Sequence, residues 1–352
     1  MRVAVTGSGG LIGSEACRFF LDLGAEVLGV DNNLRSYFFG PAGDTTGNIS
    51  AIQKDYTNFK NYPIDLRDRD KVMNFFKENS PFNAIIHTAA QPSHDWAAKE
   101  PFTDFDVNAG ATLNLLEAFR LNSPKGTFIY TSTNKVYGDN PNKVNLIETP
   151  TRYEYVESQT MPGVSLEGIS EEMSIDQCKH SLFGASKAAA DLLTQEYGKY
   201  FGLNTGVFRG GCLTGPQHSA VELHGFLAYI VDCAVNKKPY TIFGYKAKQV
   251  RDQIHSFDVV NAISQFIESP KQGEVYNIGG CKQNAASVTE VIKTLDQDFG
   301  LKLDSSYVDK NRIGDHICYY SDMSKFRKDF PHWTITRSLK DIIAEIVRSK
   351  VK

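Results

Sequence analysis

The residues best suited to chemistry stand at the start of the chain. Val3-Ala-Val-Thr-Gly-Ser-Gly-Gly-Leu-Ile-Gly13 places Gly7, Gly10 and Gly13, with Leu11 and Ile12 before the last, directly after a β-forming run and at the opening of a helical pattern. Glycines so placed let the backbone turn tightly and approach a pyrophosphate, and the free N–H groups and dipole of the helix start favour that anion. Val27-Leu-Gly-Val-Asp31-Asn32 ends the next β-rich run in an acid, about twenty positions further on. A carboxylate there accepts hydrogen bonds from the adenosine ribose hydroxyls and repels a 2′-phosphate, which selects NAD over NADP, although Arg35 nearby tempers the exclusion. Ile64-Asp65-Leu66 is placed to hold the adenine edge, and Ile85-Ile-His-Thr88-Ala89-Ala90 ends a strand in small residues that let backbone pass close to a cofactor. The plainer alternative for Asp65 is a helix cap. For His87 we adopt the plainer reading, a hydrogen-bonded core histidine.

Alternating elements must position these residues. Short β-rich runs at 2–6, 26–31, 84–87 and 127–131 are separated by helical patterns, 105–121 and 185–200 are the strongest helices, and 204–208 supplies another strand. That alternation predicts an α/β fold, a Rossmann-type doubly wound parallel sheet with helices on both faces. Beyond Gly215 the signals become irregular, with turn clusters at Gly215-Pro216 and Gly279-Gly280 and a last helical run at 339–347. A smaller C-terminal α/β substrate domain is expected there. The expected boundaries are 1–214 for a mainly NAD-binding domain to which about 252–280 returns, and 215–251 with 281–352 for the substrate domain. Residues 139–181 form a long, polar, weakly periodic insertion, and such a stretch inside a compact unit is more often functional than idle.

Composition narrows the partners. Of 352 residues, 41% are hydrophobic and 22% charged, the balance of an ordinary globular chain. The 38 basic and 41 acidic residues give a net charge of −3 with no long like-charged run, which offers no footprint for nucleic acid or an anionic membrane and points to a small-molecule partner. No stretch is apolar for long enough to span a bilayer. The β-rich run follows Met1 directly, leaving no room for a signal peptide's apolar core, so a cytoplasmic location is expected. Six cysteines, at 17, 178, 212, 233, 281 and 318, lack CxxC pairs or clustered histidines; reduced thiols are expected, with neither a metal site nor a disulfide frame.

Together with Tyr130-Thr131-Ser132-Thr133-Asn134-Lys135-Val-Tyr137-Gly138 and the later Lys187, the residues above resemble the extended short-chain dehydrogenase/reductase superfamily over nearly the whole chain. The run Ser132–Asp139, the long insertion, and Lys248-Gln-Val-Arg-Asp252 followed by His255 look most like the CDP-paratose 2-epimerase (CDP-tyvelose epimerase) branch. The resemblance implies that Asn108, Thr131 and Lys187 also contact the cofactor. It further implies that Thr133 and Lys187 are the hydroxyl and lysine members of an acid–base set. The third member, a tyrosine four residues before the lysine, is here Phe183 in Ser181-Leu-Phe-Gly-Ala-Ser-Lys187. A phenol of ordinary pKa about 10 is brought toward neutrality by a nearby ammonium and, as phenolate, removes the sugar hydroxyl's proton. Phenylalanine cannot do this, and general acid–base catalysis is worth about 10² to 10⁴ in rate.

Three explanations are open. Another residue acts, with His94 and Asp95 of Gln91-Pro-Ser-His-Asp-Trp96 foremost because that loop lines the sugar site in this superfamily, and His180, Cys178, Cys212 and Tyr137 behind them. Alternatively Phe183 is a substitution that traps a complex, or the protein binds a nucleotide sugar without turning it over. We favour the first.

Dehydratases of the superfamily carry an Asp-Glu pair where this chain has Asn134-Lys135, so the resemblance disfavours a 4,6-dehydratase. It implies an NAD-dependent nucleotide-sugar epimerase acting by transient oxidation of a sugar hydroxyl and hydride return. The branch suggests C2 of a CDP-linked hexose, with C4 as the alternative. A dehydrogenase, reductase or lyase on a similar sugar, and a non-catalytic NAD and sugar-nucleotide binder, are the competing readings. Arg251 and Arg312, the latter in Arg312-Ile-Gly-Asp315, match two positions that clamp the substrate pyrophosphate, a task that suits a planar, permanently charged fork. A structural Arg–Asp salt bridge is their plainer reading. Gln91, Ser132, Thr133 and Asn134 are further substrate-contact candidates, and Cys212 takes the place of a substrate-binding amide. Helices like those at 105–121 and 185–200 often pack against their copies in this superfamily, which implies a homodimer.

Overall fold

The computed structural model describes residues 1–218, 225–312 and 314–351. Its main sheet has seven strands: β1 Arg2–Thr6, β2 Glu26–Val30, β3 Phe59–Tyr62, β4 Ala84–His87, β5 Thr127–Thr133, β6 Asn204–Gly210 and β7 Gln272–Ile278. They lie in the order β7-β6-β5-β4-β1-β2-β3. β1 pairs in parallel with both β2 and β4, β2 with β3, and β4 with β5. Strand order therefore reverses at β1, and the crevice beyond the carboxyl ends of strands at such a reversal is where open α/β sheets take a dinucleotide. The expected Rossmann-type doubly wound sheet is present.

The central strands read as unbroken apolar runs because they are covered on both faces. Ala4, Leu28, Ile85 and Phe128 from the sheet meet Phe76, Leu115, Leu116 and Phe119 from helices in one core. Helix α1, Leu11–Asp22, follows β1 directly.

The chain divides into two compact units: residues 1–136, 181–209 and 259–276, and residues 137–180, 210–258 and 277–352. The return segment 259–276 lies inside the expected 252–280. Residues 137–180 differ from expectation, since they were assigned with 1–214. The cause is local pairing, in which the insertion folds into two short antiparallel ribbons, Leu146–Glu148 with Tyr153–Tyr155 and Val164–Ser165 with Gly168–Ile169. These are held by second-unit backbone, with the Tyr155 hydroxyl donating to the Cys318 carbonyl at 2.9 Å and the Ile169 N–H to the Tyr320 carbonyl at 2.9 Å. The second unit is built around strand Val250–His255, which pairs in parallel with Cys212–Thr214 and Cys318–Tyr319 and antiparallel with Ala285–Ser287. Its own core joins Leu227, Ile230, Val291, Leu295, Ile342 and Ile346. Among the described residues no helix is long and apolar enough to cross a membrane, and no three metal-type side chains are grouped.

Candidate functional site

The loop between β1 and α1 is shaped by contacts that exclude side chains. Gly7 has φ +68° and its N–H donates to the Val30 carbonyl at 2.8 Å; a Cβ there would lie 2.8 Å from the Ala89 nitrogen. A Cβ at Gly13 would run into the Gly7 carbonyl, so the first turn of α1 presses on the loop. Gly10 stands at the start of α1 and no side chain caps it. The first N–H groups of the helix are thus left for an anion.

Asp31, just past β2, closes the other side. One carboxylate oxygen accepts from the Gly9 N–H at 2.9 Å and the other from the Asn33 N–H at 2.7 Å. Burial pushes its pKa up, and these two bonds oppose the rise. Each oxygen retains a lone pair for a ribose hydroxyl. The uncapped helix start, the glycines of the loop and this acid fit NAD.

The other expected cofactor residues fall into three groups. Thr88, Ala89 and Ala90 follow β4 half-buried, with the Thr88 hydroxyl donating to the Thr6 carbonyl at 2.7 Å. Asn32 is exposed and its side chain accepts from the Leu34 N–H at 3.2 Å. Asp65 forms an ion pair with Arg67 at 2.6 Å, which holds its carboxyl below the usual range, while the Leu66 carbonyl accepts from Asn114 at 2.9 Å. Asp65 does not cap the following helix, Arg69–Asn79; that cap is Asp68, which accepts from the Lys71 N–H. His87 is a core histidine, with Nδ1 2.7 Å from the Thr6 hydroxyl and Nε2 2.9 Å from that of Thr112, and burial pushes its pKa down to about 3.

Two expected contacts are committed to internal bonds. Asn108 stands in a π-helical turn, Asp106–Gly110; its side chain accepts from the Gln91 N–H at 3.0 Å and donates to the Ser186 hydroxyl at 3.0 Å and to Asp104 at 3.1 Å. Gln91, expected at the substrate, is buried, and its amide donates to the Ser93 carbonyl at 2.8 Å and to Asp104 at 2.7 Å. Asp104 and Ser186, themselves 2.6 Å apart, were missed from sequence. The signal available was Ser186, a serine on an otherwise apolar helix face with Leu182, Phe183, Ala189 and Ala190.

The catalytic candidates of the first unit converge on helix α2, Ser181–Phe201. Phe183 and Lys187 are one turn apart on one face, 6% and 4% exposed. The Lys187 ammonium donates to the Thr131 carbonyl at 2.8 Å and lies 4.3 Å over the Tyr130 ring. Burial lowers its pKa to about 7, against the pull of Asp191 and Asp104. Thr133 ends β5 half-buried; its hydroxyl accepts from the Lys135 N–H at 3.2 Å and lies 3.4 Å from the side-chain oxygen of buried Asn134. Ser132 instead donates to Asp191 at 2.7 Å, and Asp191 forms a buried ion pair with Arg209 at 3.0 Å.

His94 and Asp95 begin the short helix His94–Lys99, which Ser93 caps. The two residues diverge there. The His94 ring meets Phe183 edge-on, centroids 5.1 Å apart, and its Nδ1 is 2.8 Å from the Ser181 hydroxyl. Asp95 is exposed.

The remaining candidates belong to the second unit. The Tyr137 hydroxyl donates to Asn277 at 2.8 Å. Cys178 is 3.6 Å from His180, and burial pushes its thiol pKa up, away from thiolate chemistry. Cys212 is half-buried on its short strand. Arg251 donates to the Val250 carbonyl at 2.8 Å, and its guanidinium stands 3.8 Å from Asp315, too long for a hydrogen-bonded pair. Arg312 is half-buried.

Comparison with known proteins places this geometry. The chain matches the NAD dependent epimerase/dehydratase family over residues 3–161 and 146–279. It is 34% identical over 304 residues to the CDP-paratose 2-epimerase of Salmonella typhi, covering 84% of this chain and 84% of that enzyme. It is 28% identical over 328 residues to the UDP-glucuronate 4-epimerase of Thermodesulfobacterium geofontis, covering 92% and 88%. Among solved structures, the UDP-glucose 4-epimerase of Thermus thermophilus in complex with NAD is similar with a TM-score of 0.77 and 25% identity, over 99% of each chain. On the glycine loop, the strand order and these matches, the chain belongs to the NAD-dependent epimerase/dehydratase family.

Proposed function

We propose that this chain is an NAD-dependent nucleotide-sugar epimerase in which His94 does the proton work that Phe183 cannot. One observation carries the second half of that reading: the imidazole packs on Phe183 itself, 5.1 Å between centroids, on the helix face that also presents Lys187. NAD, when bound against the glycine loop and Asp31, would supply the redox chemistry, reversible hydride transfer at a sugar carbon. Everything else falls to side chains. His94, its Nδ1 2.8 Å from the Ser181 hydroxyl, takes the sugar hydroxyl's proton and later gives it back. Thr133 orients that hydroxyl, and Lys187 holds the cofactor's ribose.

Asn134-Lys135 in place of a dehydratase's acid pair, and the 34% identity to a CDP-paratose 2-epimerase, support epimerisation and a CDP-linked hexose handled at C2. Arg251 and Arg312 of the second unit are the proposed clamp for the substrate pyrophosphate, with Asp315 beside Arg251 to orient its guanidinium. Exposed Leu113 and Leu121 on helix Ala111–Asn122, and Leu192, Tyr200 and Phe201 on α2, support a homodimer packed through these helices. The six cysteines, none of them in a disulfide, support a reducing, cytoplasmic setting.

The test is turnover of CDP-paratose followed by nuclear magnetic resonance, with absorbance at the NADH band recorded alongside. We expect a C2-epimerised product and no net NADH. His94→Ala should lower kcat about 10²-fold or more, and Asp95→Ala should change it less than about threefold because that side chain is exposed. Wild-type turnover by His94→Ala would defeat the assignment. Net NADH formation would make the protein a dehydrogenase.

A further inference from the structure

The segment that follows β2 is built as a strap between the glycine loop and the helix that carries His94. At one end Asp31 accepts from the Gly9 and Asn33 N–H groups, and the Asn48 side chain donates to the Gly9 carbonyl at 2.8 Å. Asn33 fixes the middle by accepting from the Thr45 N–H and hydroxyl at 3.0 and 3.1 Å. At the other end, helix Leu34–Phe39 meets Trp96. The indole N–H donates to the Phe38 carbonyl at 2.6 Å, and the ring packs at 5.2 Å on both Phe38 and Tyr37. The Tyr37 hydroxyl donates to Glu100 at 3.1 Å, and the Lys99 ammonium stands 4.8 Å over the indole.

Helix His94–Lys99 has six residues, too few to hold a position by its own hydrogen bonds. Its placement comes from what its side chains grip. Trp96, two residues beyond His94, is its grip on the strap.

We propose that Trp96 is a positioning residue: it clasps the His94 helix to the adenosine side of the dinucleotide site, so that occupancy of that side sets the imidazole over Phe183. The proposal rests on the role of His94 given above. A dinucleotide that engages Asp31 orders the strap, and the strap carries that order through Phe38 and Trp96 to His94. The two ends of the cofactor thereby acquire separate duties, one at the reacting carbon and one in assembling the acid–base group.

The chain has two tryptophans, and Trp333 is buried in the second unit with its N–H donating to the Asp258 carbonyl, so emission that responds to the adenosine half reports Trp96. The probe is ADP-ribose, which lacks nicotinamide, titrated into the full-length protein, with nicotinamide mononucleotide as control. ADP-ribose should shift the emission and the mononucleotide should not; the response should vanish in Trp96→Phe. That variant keeps an aromatic ring and loses the donor to Phe38. Its kcat should fall on the order of 10-fold, with KM for the sugar nucleotide within about twofold, because a displaced base costs rate rather than ground-state binding. Unmoved wild-type emission, or Trp96→Phe at wild-type kcat, overturns the clasp, and the emission arm needs no variant to fold. A dead His94→Ala beside a fully active Trp96→Phe defeats the clasp alone. An active His94→Ala defeats the role of His94, while the emission response separately decides whether the strap reaches Trp96.

Discussion

Lys187→Met should yield a protein that is more stable near neutrality and catalytically impaired, with a stability gain that shrinks as pH rises. The ammonium is 4% exposed, and burial brings its pKa from 10.5 to about 7. At about 1.36 kcal/mol for each tenfold change in proton affinity, keeping it charged in the folded state costs about 5 kcal/mol. At pH 7 half the population escapes by losing the proton, which leaves about 4 kcal/mol. Methionine removes that cost but strands the Thr131 carbonyl, which loses its 2.8 Å donor, at about 1–3 kcal/mol. The net expectation is a gain of about 1–3 kcal/mol at pH 7.

The pH dependence gives a sharper check. Between the folded value of about 7 and the unfolded 10.5 the unfolded chain binds more protons at this residue, so the wild type gains stability from it as pH rises through that window. The rise is about 2 kcal/mol from pH 7 to pH 9, and the variant lacks it. Urea unfolding of both proteins at the two pH values measures the gap. A variant less stable than wild type at pH 7, or a gap that does not narrow by pH 9, refutes the reasoning.

Restoring the phenol with Phe183→Tyr should change kcat by less than about tenfold if His94 already carries the proton; a gain of several decades would show a site awaiting its tyrosine. Gly13→Ala drives a methyl into the Gly7 carbonyl, so NAD affinity by calorimetry should fall more than about 100-fold, a loss of roughly 3 kcal/mol. Wild-type affinity in that variant would mean the loop can relax and is not the tight cradle described.

The cofactor half of the site was legible because its residues act through backbone. Gly7, Gly13 and Asp31 are fixed by local turn geometry and by position after a strand, which sequence records directly. Lys187 was legible by spacing. Gln91 and Ser132 were not, because polarity shows that a side chain needs partners without saying whether they are ligand or protein; here they are Asp104, Ser93 and Asp191. The strand Phe59–Tyr62 escaped notice because Phe-Lys-Asn-Tyr at the sheet's edge carries neither an apolar run nor clean alternation. Residues 137–180 group with the second unit rather than with 1–214 for a related reason: two- and three-residue ribbons take their place from long-range pairing with backbone such as Cys318 and Tyr320, and leave no local period. The helical pattern 105–121 was seen, but not the π-helical turn that sets Asn108 between Gln91 and Ser186.

The buried carboxylates that act on Lys187 bear on how this site could lose a tyrosine at all. Where a phenolate stands beside the lysine, the pair is close to neutral, and deleting the anion would leave a cation alone in an apolar wall. Here Asp104 and Asp191 already pull on that charge from within the helical layer. Each is anchored by its own donors, Ser186 and Gln91 for one, Ser132 and Arg209 for the other. These two carboxylates thus offset part of the cost of burying the ammonium without the residue at position 183. With two anchored acids still pulling on the lysine, exchanging the acid–base group is a local event, confined to the few side chains that touch the sugar, and the remaining cost is met by the lysine's own loss of proton affinity.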